Sequence, residues 1–484
     1  MYYSYFFFIL DSKKTQLMLH IKFLLILFFS SILIYAQTDF IRGVDISKLP
    51  QIEDNGGRYS ESNIQKDALQ IFSDHGANLI RLRIWHSPSD NYVNLSKTLR
   101  LAKRADSLGM EFLLDFHYSD TWADPSHQTK PAAWNYLDFE ELKDSVYQYS
   151  YEVLSALKKQ NTTPTIIQIG NEINCGMLWS DGNVCGSRNT DSQWYKLSAL
   201  LNSGINGVKD ALAPEDSSKI MIHYSEGGNN SSCKYFFTKI VQNYVDYDII
   251  GLSYYPWWHG SLDDLSRNMN DLAVRFNKEI LVVETAYPWT LEWNDNTHNL
   301  VGNSDQLLAG YSATENGQAD FLSDLVDTIK NVKNNRAIGF VYWAPEDIST
   351  STLGSAWENV SLFDFNGEVL NSISIFEEEQ TSVFNNENIP TRFKLFQNYP
   401  NPFNPSTVIK YTVPNVETLP LVVLKVYDLL GREIAVLVNG NQSPGNYKVQ
   451  FEINSVKNKL GTGVYFYSLT INGQTKTKKM IFLR

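Results

Sequence analysis

The sequence predicts a (β/α)8 barrel followed by a small all-β sandwich, and three observations carry that prediction. Apolar runs of strand length alternate with amphipathic stretches from about residue 38 to 372. Polar and aromatic residues gather at the C-terminal ends of those runs. Near residue 375 the texture changes to short alternating strands separated by turns. A regular strand–helix alternation argues for a parallel sheet, and a later run of strands alone argues for a separate all-β layer.

Taken in order, the chain starts with Lys13, Lys14, His20 and Lys22 ahead of an apolar run over 23–35, and Ala36 fits the last position before cleavage. Residues 1–36 therefore read as a signal peptide, with an uncleaved anchor as the alternative. The run is shorter than the roughly 20 residues a spanning helix needs. Met18 is a second candidate start. The barrel is expected over 37–374, with strands at 41–46, 79–84, 111–116, 165–170, 219–223, 249–253, 279–284 and 337–343. Most of these are nearly continuous apolar runs, as parallel strands covered on both faces should be. Amphipathic helices are expected at 62–75, 96–108, 139–159 and 314–330. Eight such units make a closed barrel. An open doubly wound sheet would normally carry a glycine-rich phosphate turn after an early strand, and none is found. Residues 375–392, with Glu377-Glu378-Glu379-Gln380 and Asn385-Asn386-Glu387-Asn388, read as a polar linker. The sandwich then occupies 393–484, with strands at 408–413, 421–428, 447–452, 463–471 and 475–483.

Composition narrows the function. A chain of 484 residues suits one large domain and a small one. A net charge of −12 argues against nucleic acid or an anionic membrane as partner. It is bland for a secreted enzyme acting on a neutral polymer, and a monomer is expected. Eleven Trp and 27 Tyr supply rings on which sugars can stack. Of the three cysteines, Cys175 and Cys185 would close a short loop in an exported protein, and one cysteine must stay free or pair between molecules. Their spacing is not that of a metal site, so no metal ligands are expected.

The chemistry lies at two strand ends. Thr165-Ile166-Ile167-Gln168-Ile169-Gly170-Asn171-Glu172 and Glu279-Ile280-Leu281-Val282-Val283-Glu284 each run from buried strand to carboxylate. A carboxylate at the mouth of a buried strand is costly to desolvate and needs partners or a job. Two of them far apart in sequence fit the general acid and the nucleophile of glycoside hydrolysis. Glu172 is expected to be the acid/base, with a raised pKa, and Glu284 the ionised nucleophile. For a retaining enzyme the two carboxyl groups should lie about 5–5.5 Å apart. Arg83 is expected to supply the cation beside Glu284. Arg81 shares its strand face, and for both arginines the alternative is a structural ion pair with Asp45 or Asp115, more strongly so for Arg81. Tyr255, ahead of Tyr254, is expected to donate to Glu284. Asn171 is placed to donate to a sugar 2-hydroxyl. His117 is expected to bind ligand or a carboxylate, with a purely structural histidine as the alternative. Trp343 would form a floor under the cleaved sugar. Trp85, Trp122, Trp257, Trp258 and Trp289 would line a polymer groove on the rim, with loop packing as the alternative for two or three of them.

Taken together, Gly43-Val44-Asp45-Ile46-Ser47, Arg81-Leu82-Arg83-Ile84-Trp85, the segment from Asp115 through His117 to Pro125, Gly170-Asn171-Glu172, Ser253-Tyr254-Tyr255-Pro256, Glu284-Thr285-Ala286-Tyr287-Pro288, Ser355-Ala356-Trp357-Glu358-Asn359 and Leu362-Phe363-Asp364 resemble glycoside hydrolase family 53, the arabinogalactan endo-β-1,4-galactanases. The resemblance spans nearly the whole barrel. It implies a retaining enzyme, with Glu172 as acid/base and Glu284 as nucleophile, that cleaves the β-1,4-galactan side chains of pectin internally. Some bacterial members of that family carry calcium in the loop after strand seven. Here Asn294-Asp295-Asn296-Thr297-His298-Asn299 is oxygen-rich but less acidic than a strong calcium loop, so no cofactor is expected to be required. The same machinery on mannan or glucan, and a non-catalytic glycan-binding surface protein, are the alternatives. At the C-terminus, the segment from Phe396 to Thr407 and Gly463-Val464-Tyr465-Phe466-Tyr467 resemble a type IX secretion sorting domain. That implies passage through the periplasm, contact with the type IX machinery, and release or attachment outside the cell. A carbohydrate-binding sandwich is disfavoured there, because no Trp follows Trp357.

Overall fold

A computed structural model describes residues 40–214, 216–377, 393–398, 400–414, 419–453 and 460–483. The predicted signal peptide, and the predicted linker from residue 378 onward, lie outside the described residues. Eight parallel strands close into a barrel. They are β1 (Ile41–Asp45), β2 (Leu79–Ile84), β3 (Glu111–Phe116), β4 (Ile166–Ile169), β5 (Lys219–Tyr224), β6 (Ile249–Ser253), β7 (Glu279–Thr285) and β8 (Ala337–Trp343). Sheet neighbours are sequence neighbours all the way round, and β8 closes on β1. Register then gathers the polar residues. Arg81 lies beside Asp45, Asp115 lies beside both Arg83 and Gln168, and Ser253 lies beside Glu284. Polar side chains of neighbouring strands thus share one layer at the C-terminal mouth.

The covering helices are α1 (Ala68–Asp74), α2 (Leu95–Asp106), α3 (Phe139–Lys159), α4 (Asp191–Ala211), α5 (Asn230–Gln242), α6 (Leu262–Phe276) and α7 (Glu315–Lys330). Each starts where a short polar side chain can take up a free backbone amide: Asp67, Asn94, Asp138, Thr190, Asn229, Ser261 and Thr314 all do so. Along α3, Leu142, Val146, Ser150, Val153, Leu154 and Leu157 form the buried stripe, at helical spacing. α4 packs against α3 so closely that a Cβ on Gly207 would sit 2.3 Å from the Tyr147 carbonyl oxygen.

The structure departs from the sequence reading at both ends of the barrel. Only 68–74 of the expected 62–75 helix is helical; Tyr59–Glu61 and Ile64–Lys66 pair as a hairpin turned by Ser62 and Asn63, both at positive φ. Asp67 accepts from the Gln70 amide and so fixes the start of the helix behind that hairpin. After β8 the barrel is closed by a 3-10 turn, Asn371–Phe376, rather than an α-helix, and Phe376 stacks on Phe340 at 5.8 Å.

The C-terminal domain is a sandwich of two antiparallel sheets. One holds β9 (Lys394–Leu395), β10 (Ser406–Val413) and β13 (Gly445–Glu452). The other holds β12 (Glu433–Asn441), β11 (Leu421–Tyr427), β14 (Gly463–Ile471) and β15 (Gln474–Phe482), in that order. The core between them is apolar, built on Ile409, Val413, Val422, Leu424, Phe451 and Leu469. β12 was not expected. It is an edge strand whose register against β11 shifts twice, so its exposure does not alternate cleanly.

Candidate active site

The two glutamates reach the barrel mouth by different routes. β4 ends at Gly170, where φ is +81° and a Cβ would meet Ile173 Cγ2 at 2.7 Å. The chain then turns through Asn171 to Glu172, itself at a φ of +45°, in a region that non-glycine residues seldom occupy. Glu172 is left partly exposed. Glu284, by contrast, stays within β7 and is buried. A carboxylate oxygen of Glu172 lies within 4.8 Å of one on Glu284.

Beneath them sits Arg81, fully buried. Its guanidinium donates to Glu284 Oε1 (2.8 Å), Asp45 Oδ2 (2.9 Å), Asp115 Oδ2 (2.9 Å), Asn171 Oδ1 (2.9 Å) and Gln168 Oε1 (3.2 Å). Burial works against the charge on Asp115, yet Arg81 and His117 hold that carboxyl below its ordinary range. A second donor, the Tyr255 hydroxyl, reaches Glu284 Oε2 at 3.0 Å. Burial pushes Glu284 upward, and Arg81 and Tyr255 oppose the push. Glu172 has no such cation in contact. Burial and the neighbouring Glu284 carry it up to about 8, with only a hydrogen bond from Ser253 and the more distant Arg81 pulling back. One cation therefore serves three carboxylates in contact, and Glu172 is not among them.

The remaining predicted residues are distributed as follows. Arg81, not Arg83, carries the contact to Glu284, which corrects the expectation. Both arginines point inward, but Arg83 sits two residues nearer the mouth. It pairs with Asp45 Oδ1 at 3.4 Å and lies over the rings of Trp122 and Trp343, at 4.3 and 5.2 Å. Asn171 donates to the Ala123 carbonyl through Nδ2 (2.8 Å) while its oxygen is held by Arg81. Of the two tyrosines, Tyr255 faces Glu284, whereas the Tyr254 hydroxyl donates to the Gly260 carbonyl. His117 is not free to bind ligand. One ring nitrogen pairs with Asp115 Oδ2 (3.1 Å), and the other accepts from the Trp85 indole (3.1 Å) and the Ala123 amide (3.2 Å). Trp85 is likewise buried in this contact rather than open on the rim. Trp343 is buried at the mouth, 5.9 Å from Trp122 and 6.0 Å from Trp357. Of the tryptophans expected on the rim, Trp122 and Trp258 are open, 43% and 56% exposed, while Trp257 and Trp289 are half-buried. Trp258 stands edge-on to Tyr255 at 5.5 Å.

Gln168, His223 and Ser253 were missed. A polar residue inside an otherwise apolar strand was the available signal: Ile166-Ile167-Gln168-Ile169 and Ile220-Met221-Ile222-His223 both show it. Glu172, His223 and Glu284 bring one potential ligand atom each within 4.8 Å of the others. Both His223 nitrogens, however, already face protein groups, and Glu284 is paired with Arg81. In the stretch Asn294–Asn299 the single carboxylate is Asp295, whose oxygens accept one each from the Thr297 and Ser355 amides. A Cys175–Cys185 disulfide closes the loop behind Glu172, and Cys233 is free and buried.

Comparisons with known proteins identify what the two parts of the chain are similar to. The glycosyl hydrolase family 53 model matches residues 41–376, and the model of a secretion system C-terminal sorting domain matches 397–483. A Niallia circulans protein, itself described only as uncharacterized, is 44% identical over 342 residues, covering 69% of this chain and 93% of the relative. An arabinogalactan endo-β-1,4-galactanase of Cellvibrio japonicus is 36% identical over 338 residues, covering 68% and 87%. The solved GH53 catalytic domain of Ignisphaera aggregans superposes with a TM-score of 0.66 at 38% identity, covering 70% of this chain and 96% of that domain.

Proposed function

The chain belongs to glycosyl hydrolase family 53, and on that premise we propose that it is a secreted, endo-acting, retaining enzyme that cleaves β-1,4-galactosidic bonds in arabinogalactan or pectic galactan. One observation carries the mechanism: two carboxylates meet at the barrel mouth, one held by a buried arginine and a tyrosine, the other without a cation in contact. Glu284 then attacks the anomeric carbon as the bond to the leaving oxygen breaks, and Glu172 passes its proton to that oxygen. In the second step water attacks the glycosyl–Glu284 ester, Glu172 takes the water proton, and Glu284 leaves as carboxylate. An oxygen–oxygen approach within 4.8 Å supports retention, since inverting pairs stand about 6.5–9.5 Å apart to admit water. Asn171, with one amide hydrogen on Ala123, offers the other to the sugar. Trp343 and Trp122 supply ring faces beside Arg83.

The substrate reading is supported by relatives such as the Cellvibrio japonicus galactanase. The sorting domain supports export through a secretion system to the cell surface or beyond. The test is reducing-sugar release from galactan, mannan and cellulose compared side by side, with Glu284→Ala in parallel. Galactan is expected to be cleaved best, with the variant down on the order of 10⁴-fold or more. Preference for mannan or glucan would move the substrate. Galactan binding unchanged in the variant, with no turnover by either protein, would make it a binder instead.

A further inference from the structure

The mouth contains a second polar chain, running from Glu172 through Ser253 to His223. Ser253, at the end of β6, donates to Glu172 Oε1 at 2.6 Å. Its hydroxyl oxygen lies 2.9 Å from Nε2 of His223, at the end of β5. Both side chains are completely buried, and neither has a part in the mechanism above. Resting on the reading of Glu172 as acid/base, we propose that His223 and Ser253 are positioning residues: a hydrogen-bond chain that turns one fixed oxygen of Glu172 toward the leaving group and steadies that carboxyl as it loses and regains its proton.

The direction of the chain follows from what surrounds the imidazole. Nδ1 faces the Gln168 amide nitrogen at 3.1 Å, the Glu172 backbone N–H at 3.4 Å, and Asn171 Oδ1 at 2.9 Å. The Glu172 N–H can only donate, and Asn171 Oδ1 already accepts from Arg81 and Gln168, whose two amide hydrogens are shared among the Gly170 carbonyl, Asn171 Oδ1 and Nδ1. Nδ1 therefore accepts, and Nε2 carries the hydrogen and donates to Ser253 Oγ. That leaves the serine hydrogen only one direction, onto Glu172 Oε1. An oxygen already receiving a hydrogen bond is the poorer site for the acid proton. The proton then sits on Oε2, the oxygen open to substrate. In the first step it leaves from Oε2, and in the second Oε2 takes it back from water, while Ser253 stays on Oε1 throughout. The chain needs a neutral imidazole. Burial, with Arg81 nearby, keeps His223 well below its ordinary value, Asp115 works the other way, and His117 and His259 add to the fall. The groups facing Glu172 are Glu284, Arg81, Asp124 and Tyr255. Ser253 is the one among its partners that stabilises the carboxylate by direct side-chain donation. A serine donor alone would have been free to rotate. The histidine behind it removes that freedom.

The experiment compares the full chain with Ser253→Ala, Ser253→Thr, His223→Gln and His223→Phe, following kcat and KM on galactan against pH. Ser253→Ala is expected to lower kcat several-fold with KM little changed, and to move the alkaline limb upward by about 1–2 pH units, the value of one hydrogen bond to a carboxylate. Ser253→Thr should restore the limb. His223→Gln, whose amide nitrogen can occupy the Nε2 position, should lie nearer to wild type than His223→Phe. An unmoved limb in Ser253→Ala, with the loss confined to thermal stability, would overturn the proposal. Nitrogen NMR of ¹⁵N-histidine-labelled wild type reads the tautomer without any variant: hydrogen on Nε2 supports the chain, hydrogen on Nδ1 overturns it. A wild type that releases no sugar from galactan, mannan or cellulose at any pH would instead remove the functional premise, with the tautomer still deciding the direction of the chain.

Discussion

The end of β4 and the end of β7 present the same side chain in opposite circumstances. Glu284 stays in its strand, buried, with Arg81 on one oxygen and Tyr255 on the other. Glu172 leaves its strand through a left-handed turn, meets a serine instead of a cation, and faces Glu284 itself. Burial raises both, but only Glu284 has a charge in contact to oppose it. On the proposed mechanism, the difference is how one residue type would supply both an acid and a nucleophile: the identity of the second neighbour decides. It also shows why one arginine matters so much. Arg81 reaches Asp45, Asp115 and Glu284 together, so it fixes the charge of the whole mouth.

The comparison can be broken most severely at Arg81. Arg81→Met leaves three buried carboxylates without their cation and should cost about 3–5 kcal/mol of stability, seen in denaturant unfolding, along with nearly all activity. Arg83→Met removes one longer pairing and two ring contacts and should cost about 1 kcal/mol. Equal losses at the two positions would contradict the assignment of the central role to Arg81.

Glu172→Gln sharpens the comparison from the other side. It should lower turnover of galactan by roughly 10²–10⁴-fold. It should leave the first step nearly unchanged on an aryl galactoside with a good leaving group, because that bond needs no proton to break. An equal loss on both substrates would argue against an acid role.

The smallest effect concerns pH and stability. The folded-state pKa of Glu172 is raised above the unfolded value, so folding takes up a proton between the two. Its contribution is fully present below the unfolded value near 4.5 and is lost as pH rises through about 8. Glu172→Gln removes that dependence. Its melting temperature relative to wild type should therefore rise between pH 5 and pH 9, by roughly 2–5 °C. A flat difference would mean that the carboxyl is not displaced.

The fold was legible because parallel strands covered on both faces are largely apolar, and most of the barrel strands are nearly continuous apolar runs. Glu172 and Glu284 were legible because each breaks such a run at its end. What the sequence could not settle was reach. Arg81 and Arg83 share a face, and only the closed barrel shows that the deeper one spans the lumen to β7. His117 makes the carboxylate contact that was one of its expected partners, while Trp85, expected on the rim, turns its indole onto His117 inside the wall. The Ser253–His223 chain joins residues from adjacent strands, and no local pattern could bring them together. β12 escaped notice because an edge strand with shifted register does not alternate.

The claim that Glu284 is the nucleophile and Glu172 the proton carrier is tested most directly by trapping. A 2-deoxy-2-fluoro galactobioside with a good leaving group should inactivate the enzyme by accumulating the glycosyl-enzyme, and peptide mapping by mass spectrometry should locate the sugar on Glu284. A label on Glu172, or rapid turnover with no covalent species and inverted product, would contradict the account.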